Sequence, residues 1–230
     1  MTDSIFYVVE IELPAKNLAE FVPWYASVHT PHLFQAGFNN CTSYLAVSGG
    51  MSVVDIYQSA DWSMFETDAF NRYRPIAAED PWRPQALRGI KNVRTVYHHN
   101  ALPGVATRDP SWPLDTDWLT IWRFAGDAAL EAKIADWLAT GGAAQLGARN
   151  LRLLHKTKDA PTGGSRPLEL ALVAEWDRRP PESAHDSAML AGWPGPAIAA
   201  ADCFTGIRLY PWAASADCRR EAEALVAAGK

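Results

Sequence analysis

The hydrophobic pattern at the start of the chain predicts a strand followed by a helix. The segment Ile5 to Leu13 is rich in β-branched and aromatic residues, which is typical of a strand, and Pro14 ends it. From Asn17 the apolar positions recur at the three-to-four residue spacing of an amphipathic helix that runs towards His29 before Pro31 disturbs it.

The same reasoning extends through the first hundred residues. Two strands, Thr42 to Val47 and Ser52 to Gln58, are joined by a glycine-containing turn, which indicates a hairpin. A second helix is expected after Asp61, a residue type that caps helix N-termini. A proline-rich stretch then leads to a strand from Asn92 to His99. The order β-α-β-β-α-β predicts a ferredoxin-like unit over residues 1–100.

The remainder of the chain repeats this pattern. The run Trp24 to Ser27 recurs as Trp137 to Thr140, and strand positions before and after it recur in the same order. We therefore predict a linker over residues 101–116, a second, degenerate ferredoxin-like repeat over 117–213 and a C-terminal helix over 214–230. The predicted fold class is α+β, with two tandem repeats packed sheet to sheet into an α/β barrel. A ligand is expected in the space between the sheets.

Composition narrows the classes of function. The 230 residues carry a net charge of −5 without a basic stripe, which argues against a nucleic-acid partner. Three cysteines without CxxC spacing fit reduced thiols better than disulfides or a metal site. Because the N-terminus resembles neither a signal peptide nor a membrane span, we expect a cytoplasmic protein with no membrane partner.

The histidines are distributed unequally between the repeats. Four of the six lie in the first repeat, and alignment of the repeats places Gly142 opposite His29 and Trp212 opposite His99. The titratable chemistry is therefore assigned to the first repeat, with the second closing the cavity.

The end of the first helix also carries a family resemblance. The run Trp24-Tyr25, then His29 and Pro31, followed by the strand that contains Tyr44, resembles EthD-like proteins of the dimeric α/β-barrel superfamily. The resemblance implies a sheet-lined cavity, small aromatic or polyketide-like ligands, and reactions that commonly need no cofactor. Relatives in the wider superfamily include oxygenases and haem-binding proteins.

Four residues are candidates for catalysis. His29 and His32 lie three apart near the helix end, where an imidazole can exchange protons at neutral pH or simply interact with the last carbonyls. His98 and His99 must face opposite sides of a strand, so only one of them can face the cavity; which one is left open, and His99 is taken as the catalytic candidate. Asp55 is the fourth candidate, because it points into the cavity if its neighbours Val54 and Ile56 pack on the helices.

Six further residues are candidates for substrate binding. Glu10 faces either the cavity or an ion pair with Arg94 or Arg123. The tyrosines could donate hydrogen bonds to a carbonyl, and the tryptophans could form a flat apolar wall, although core packing is the simpler role for both types. The full set is Glu10, Tyr25, Tyr44, Tyr57, Trp122 and Trp176.

These residues predict a cofactor-independent lyase or isomerase that uses histidine acid/base catalysis on a small apolar or aromatic molecule. Dehydration, decarboxylation and cyclisation all fit. No cofactor and no metal are expected. Two alternatives stay open: a non-catalytic small-molecule-binding barrel, and a metal- or haem-dependent oxygenase. Association into a homodimer is also left open.

Overall fold

The protein is described by a computed structural model that covers residues 4–99, 109–156, 158–161, 164–185 and 192–229. Residues 101–108 of the predicted linker fall outside these ranges. The elements of the first half are β1 (Ser4–Ile11), α1 (Leu18–Trp24), α2 (Thr30–Ala36), β2 (Asn40–Gly49), β3 (Val53–Ser59), α3 (Asp68–Glu79) and β4 (Asn92–His99). Those of the second half are β5 (Trp118–Phe124), α4 (Ala128–Trp137), α5 (Ala143–Leu146), β6 (Asn150–His155), β7 (Leu170–Trp176), β8 (Cys203–Tyr210) and α6 (Ala216–Ala228).

The eight strands form one closed barrel. Their order is β1-β3-β2-β8-β5-β7-β6-β4, and every neighbouring pair is antiparallel. Each half keeps the ferredoxin-like order within its own four strands. The halves meet along β2 and β8 on one side and β4 and β6 on the other. The predicted α+β barrel of two tandem repeats is therefore confirmed.

The first helix does not end at Pro31. A π-helical turn, Tyr25–His29, connects α1 to α2, and the helix continues to Ala36. Pro31 lies in the first turn of α2, directly after the π-helical turn. Gly37, with a φ of 112°, then ends the helix in the left-handed region that glycine tolerates.

The barrel interior is filled by side chains. Its apolar part includes Phe6, Val8 and Ile56. Ion pairs cross the same space: Arg166 donates to Glu10 at 2.5 and 2.9 Å, and Arg123 lies 3.1 Å from Glu10. The expectation of a ligand space between the two sheets is therefore wrong, because packed side chains and ion pairs occupy it.

The strand register also revises the alignment of the last strands. His98 pairs with Ile5, and Trp118, which takes the place of Ile5 in the second half, pairs with Ile207. Ile207 is therefore the counterpart of His98. The next residue, Arg208, is the counterpart of His99, and Trp212 is not. The alignment from sequence was wrong here because unequal loops shift the spacing between the halves.

Among the described residues, Cys41, Cys203 and Cys218 form no disulfide. Within the ranges that the structure describes, no helix has the length and apolar character needed to cross a membrane.

Candidate active site

A cavity of about 470 Å³ lies between the first-half sheet and its helices, on the face of the sheet opposite to the barrel interior. Strands β1, β3 and β4 form its floor, and α1, α3 and the segment after α3 form its walls. Aromatic side chains supply much of the lining: Tyr7, Phe21, Trp24, Tyr57, Phe70 and Tyr73.

Strand alternation determines which residues reach this cavity. Val54 and Ile56 belong to the interior of the barrel, so Asp55 and Tyr57 point to the opposite face, towards the helices. The condition set for Asp55 from the sequence, that Val54 and Ile56 pack on the helices, is therefore not met. Asp55 and Tyr57 nevertheless line a cavity, because the cavity also lies on the helix side.

The π-helical turn positions His29 beside the cavity. The Thr30 N–H bonds to the Tyr25 carbonyl, a wide turn that inserts one extra residue before α2. The imidazole of His29 stacks on the Trp24 indole, with ring centroids 4.8 Å apart and planes inclined by 20°. Trp24 is itself fixed by a 2.9 Å hydrogen bond from Nε1 to Asp80 Oδ2. His29 is therefore held by packing on a fixed aromatic ring.

Three polar side chains form a hydrogen-bonded chain at the cavity floor. The Tyr57 hydroxyl donates to Asp55 Oδ2 at 3.2 Å and lies 3.5 Å from His29 Nε2. A phenol has one proton, so when Tyr57 donates to Asp55 it can only accept from His29. The Nε2–H tautomer of His29 completes this chain, which runs from His29 through Tyr57 to Asp55.

Burial shifts the pKa values of this chain strongly. Desolvation raises the pKa of Asp55 to about 7, although hydrogen bonds from the Ser43 and Tyr57 side chains oppose the shift. Desolvation, reinforced by the Arg83 charge, lowers the pKa of His29 to about 3. Burial and the Asp55 charge raise the pKa of Tyr57 well above its usual value. Near neutral pH, Asp55 therefore exchanges a proton readily, while His29 stays neutral and Tyr57 stays protonated.

Arginines supply positive charge to the same cavity. Arg74, Arg83 and Arg94 all line it. Arg83 lies over the Trp24 ring, with its guanidinium carbon 5.3 Å from the ring centroid. This charge can stabilise negative charge that develops on a bound molecule.

The structure brings three of the ten candidate residues to the cavity: His29, Asp55 and Tyr57. Tyr25 is buried beside them, with its ring 5.6 Å from that of His29. His32 lies on α2, half-buried, and does not line the cavity.

The other five candidates lie elsewhere. Three face the barrel interior, where Glu10 is ion-paired with arginines, Tyr44 donates to the Thr116 carbonyl at 3.1 Å, and His99 packs edge-on against Phe6. Trp122 and Trp176 are buried in the core of the second half, where their indole N–H groups bond to the Ala184 carbonyl and the Thr120 hydroxyl. These five side chains do not line the cavity.

Sequence reasoning missed Trp24 as a cavity residue, and with it Tyr73, Arg83 and Arg94. The repeat indicates only a scaffold position for Trp24, and Arg83 lies in a proline-rich stretch without periodicity. The position of Arg94 could have been predicted from strand alternation. Arg94 alternates with residues on the interior face of β4, so it shares the helix-side face with Val96.

The residues weighed for a metal or haem do not converge. His99 lies in the barrel interior, His98 stacks between Trp62 and His155, and His29 turns Nε2 to Tyr57. Across the described ranges, no three residues of ligand type group together in a way that could hold a metal ion. Among the described residues, the side chains at the cavity therefore offer no set of three metal ligands.

Comparison with known proteins shows the fold. No family model matches the chain, and no curated protein matches it. Among solved structures, a variant of the chlorite dismutase from Candidatus Nitrospira defluvii is 11% identical, with a TM-score of 0.56, and the match covers 98% of this chain and 97% of that one. A proposed monooxygenase from Lactobacillus acidophilus NCFM is also 11% identical, with a TM-score of 0.51 over 90% and 94% of the two chains. The chain thus has the same fold as these two structures, with both ferredoxin-like halves in one polypeptide.

Proposed function

We propose that the chain is an enzyme that moves a proton on a small aromatic carbonyl compound, with Asp55 as the base. One observation carries the proposal: a buried carboxyl with a pKa of about 7 lies at the floor of an aromatic cavity, hydrogen-bonded to Tyr57. General bases are most effective when their pKa is close to the working pH, and this carboxyl meets that condition.

Each member of the chain has a distinct role in this proposal. Asp55 Oδ2 is engaged by Tyr57, whereas Oδ1 is buried, and the Ser43 side chain, opposite Asp55 on β2, acts on the same carboxyl. Oδ1 is therefore the oxygen that takes the proton from an acidic C–H of the substrate. Tyr57 holds the carboxyl in place, and the neutral His29 ring supports the tyrosine oxygen as a donor.

The cavity walls would stabilise the anion that forms when the base removes a proton from the substrate. Removal of a proton next to a carbonyl leaves an enolate, and the Arg83 and Arg94 side chains at the cavity bring positive charge near it. Protonated Asp55 can then return the proton to another carbon, which is an isomerisation, or the enolate can expel a leaving group, which is an elimination. Both belong to the lyase and isomerase class expected from the sequence, and neither step needs a group beyond these side chains.

The names of the two similar structures, a monooxygenase and a chlorite dismutase, belong to enzymes and agree with an enzymatic role for this fold. They do not select a reaction type for this chain.

Deuterium uptake from heavy water tests the proposal with model ketones in place of the natural substrate. Enolisable aromatic ketones such as β-tetralone would be incubated with the protein near neutral pD, and loss of the α-proton signal followed by NMR. We expect the wild-type protein to accelerate exchange and Asp55→Asn to lose the acceleration. Asp177→Asn, which changes an exposed acid that does not line the cavity, should behave as wild type.

Two results would overturn the proposal. One is a complete lack of acceleration across the panel of ketones, and the other is full acceleration by Asp55→Asn. Acceleration that survives dialysis against a chelator would support the expectation that no metal takes part.

A further inference from the structure

The arginine at the cavity wall lacks the partner that a half-buried cation normally has. Arg83 is half-buried, and its Nε is buried with no hydrogen-bond partner among the residues that the structure describes. An unpaired guanidinium donor in a desolvated position is costly unless a ligand supplies the acceptor.

The acidic residue close by in the chain is engaged with other groups. Asp80 Oδ2 accepts from the Trp24 indole N–H at 2.9 Å, and Asp80 Oδ1 accepts from the Trp82 backbone N–H at 2.9 Å. Both Asp80 oxygens are therefore engaged by other groups, and among the described residues neither accepts a hydrogen bond from Arg83 Nε. The charge on Arg83 is thus left for a group that enters the cavity.

The Trp24 ring gives the Arg83 guanidinium a defined position. A guanidinium packed over an aromatic face keeps its planar donor edge free for a carboxylate. The same indole stacks on His29, so the cation and the hydrogen-bonded chain that ends at Asp55 are linked through one rigid ring. A ligand of one or two rings therefore has a charged anchor and a base at a fixed separation.

We propose that the molecule bound in this cavity is an aromatic carboxylate whose charged group pairs with Arg83 while its rings pack among Phe21, Trp24 and Tyr73. The proposal deepens the proposed function, on which its catalytic meaning rests, by naming the substrate class. Arg94, also at the cavity lining, adds to the positive potential that attracts an anion.

Calorimetric titration with a matched pair of probes tests this. Naphthoate and naphthamide have nearly the same shape, but only the first carries a charge. We expect naphthoate to bind about tenfold more tightly than naphthamide, because a hydrogen bond between two charged groups is stronger than one to a neutral amide.

Variants of Arg83 test whether this side chain causes the preference for naphthoate over naphthamide. Arg83→Gln should weaken naphthoate binding about tenfold and leave naphthamide binding within about twofold, while Arg83→Lys should retain part of the preference. Arg88→Gln is the matched control, because Arg88 is exposed on the same segment and does not line the cavity. Circular dichroism and thermal melting of each variant verify that it is folded.

The outcomes separate this inference from the proposed function. Equal affinity for the two probes, an unchanged preference in Arg83→Gln, or no binding of either probe at millimolar concentration would overturn the inference. If naphthoate binds through Arg83 while no ketone exchanges deuterium, the inference stands and the proposed function fails. If exchange depends on Asp55 but Arg83 has no role, the reverse holds.

Discussion

The two halves of the barrel share one helical irregularity and use it differently. In the first half the Thr30 N–H bonds to the Tyr25 carbonyl, and in the second the Ala143 N–H bonds to the Leu138 carbonyl, at the equivalent place. Both helices therefore widen by a π-turn just after a tryptophan. The turn belongs to the shared scaffold, and the residues around it decide whether a cavity forms.

The residue at the end of each π-turn shows the difference. In the first half the Trp24 ring stacks face to face on the imidazole of His29. In the second half the Trp137 ring covers Gly142 so closely that a Cβ at this position would lie 2.4 Å from it. An imidazole cannot occupy the second site, because the indole already fills the space.

The strands that face these helices differ between the two halves in the same way. Asp55 pairs with Val9 in the first half, and Leu172 pairs with Trp122, the counterpart of Val9, in the second. A leucine thus replaces the carboxyl that would act as base. By the same register Ala174 takes the place of Tyr57.

Aromatic side chains then close the space above the second sheet. Trp193 packs edge-on against both Trp137 and Phe124, at centroid distances of 5.5 and 5.0 Å. The comparison teaches that one backbone plan supports either an open polar cavity or a filled apolar core, according to a few side chains.

The largest expected effect concerns activity in the open half. Asp55→Asn should reduce the rate of deuterium exchange on the order of 10²–10⁴-fold, because the amide cannot accept a proton at neutral pH. Leu172→Ala, the equivalent position in the closed half, should leave the rate per folded molecule unchanged. NMR exchange rates check both, and a strong effect on rate at Leu172 would contradict the assignment of chemistry to one half.

The next largest effect concerns the barrel interior, which both halves share. Glu10→Ala should destabilise the protein by roughly 3–5 kcal/mol, because it leaves the buried Arg123 charge without its partner. Urea unfolding measures this. Glu12→Ala, which removes only an exposed pair with Lys91, is the control and should change stability by about 0.5 kcal/mol or less. Similar effects for the two variants would show that the interior ion pair is not structural.

The carboxyl at the cavity should cost stability at neutral pH. The pKa of Asp55 is raised from 3.8 to about 7 on folding, so the folded state holds a proton that the unfolded state has lost between these values. Wild-type stability relative to Asp55→Asn should therefore fall as pH rises from about 4 to 7 and stay level above that.

At pH 8 we expect Asp55→Asn to be more stable than wild type by roughly 2–4 kcal/mol, with the difference vanishing near pH 4. Urea unfolding across this pH range measures the difference. If the difference in unfolding free energy between Asp55→Asn and wild type were the same at every pH, this would contradict the burial of an ionisable base at this position.

A smaller effect is expected in the closed half. Gly142→Ala should destabilise by roughly 1–3 kcal/mol, because the new methyl group meets the Trp137 ring in a packed site. Gly164→Ala is the matched control, since a Cβ there meets nothing within 4 Å. Thermal melting of the two variants checks the difference, and equal melting temperatures would show that Trp137 moves aside freely.

Much of the fold could be predicted from the sequence, because strand and helix periodicity and the tandem repeat are local signals. The strand Asn92–His99 was predicted with the bounds that it has. The side of the sheet that carries the cavity could not be predicted, because β1 is apolar on both faces, with Phe6 and Tyr7 both buried. Alternation shows only which residues share a face, not what covers that face.

The site was predictable where chemistry and spacing coincided. His29, Asp55 and Tyr57 were all candidates, and the structure brings them together. Arg83 was missed because its position depends on how the proline-rich segment folds back over α1, which no periodicity reports. For Glu10, the sequence supports a cavity residue and an ion-pair partner equally. Its partner Arg166 lies in a loop of the second half, too distant in the sequence for the pairing to be predicted.

The central claim is that the open half contains a carboxyl with a pKa near neutrality. NMR of protein with isotope-labelled aspartate carboxyl carbons, followed across a pH titration, measures this directly. We expect one aspartate signal to titrate with a midpoint near pH 7 in the wild-type protein and to be missing in Asp55→Asn. Titration of every aspartate below about pH 5, in the ordinary range of exposed carboxyls, would contradict the claim.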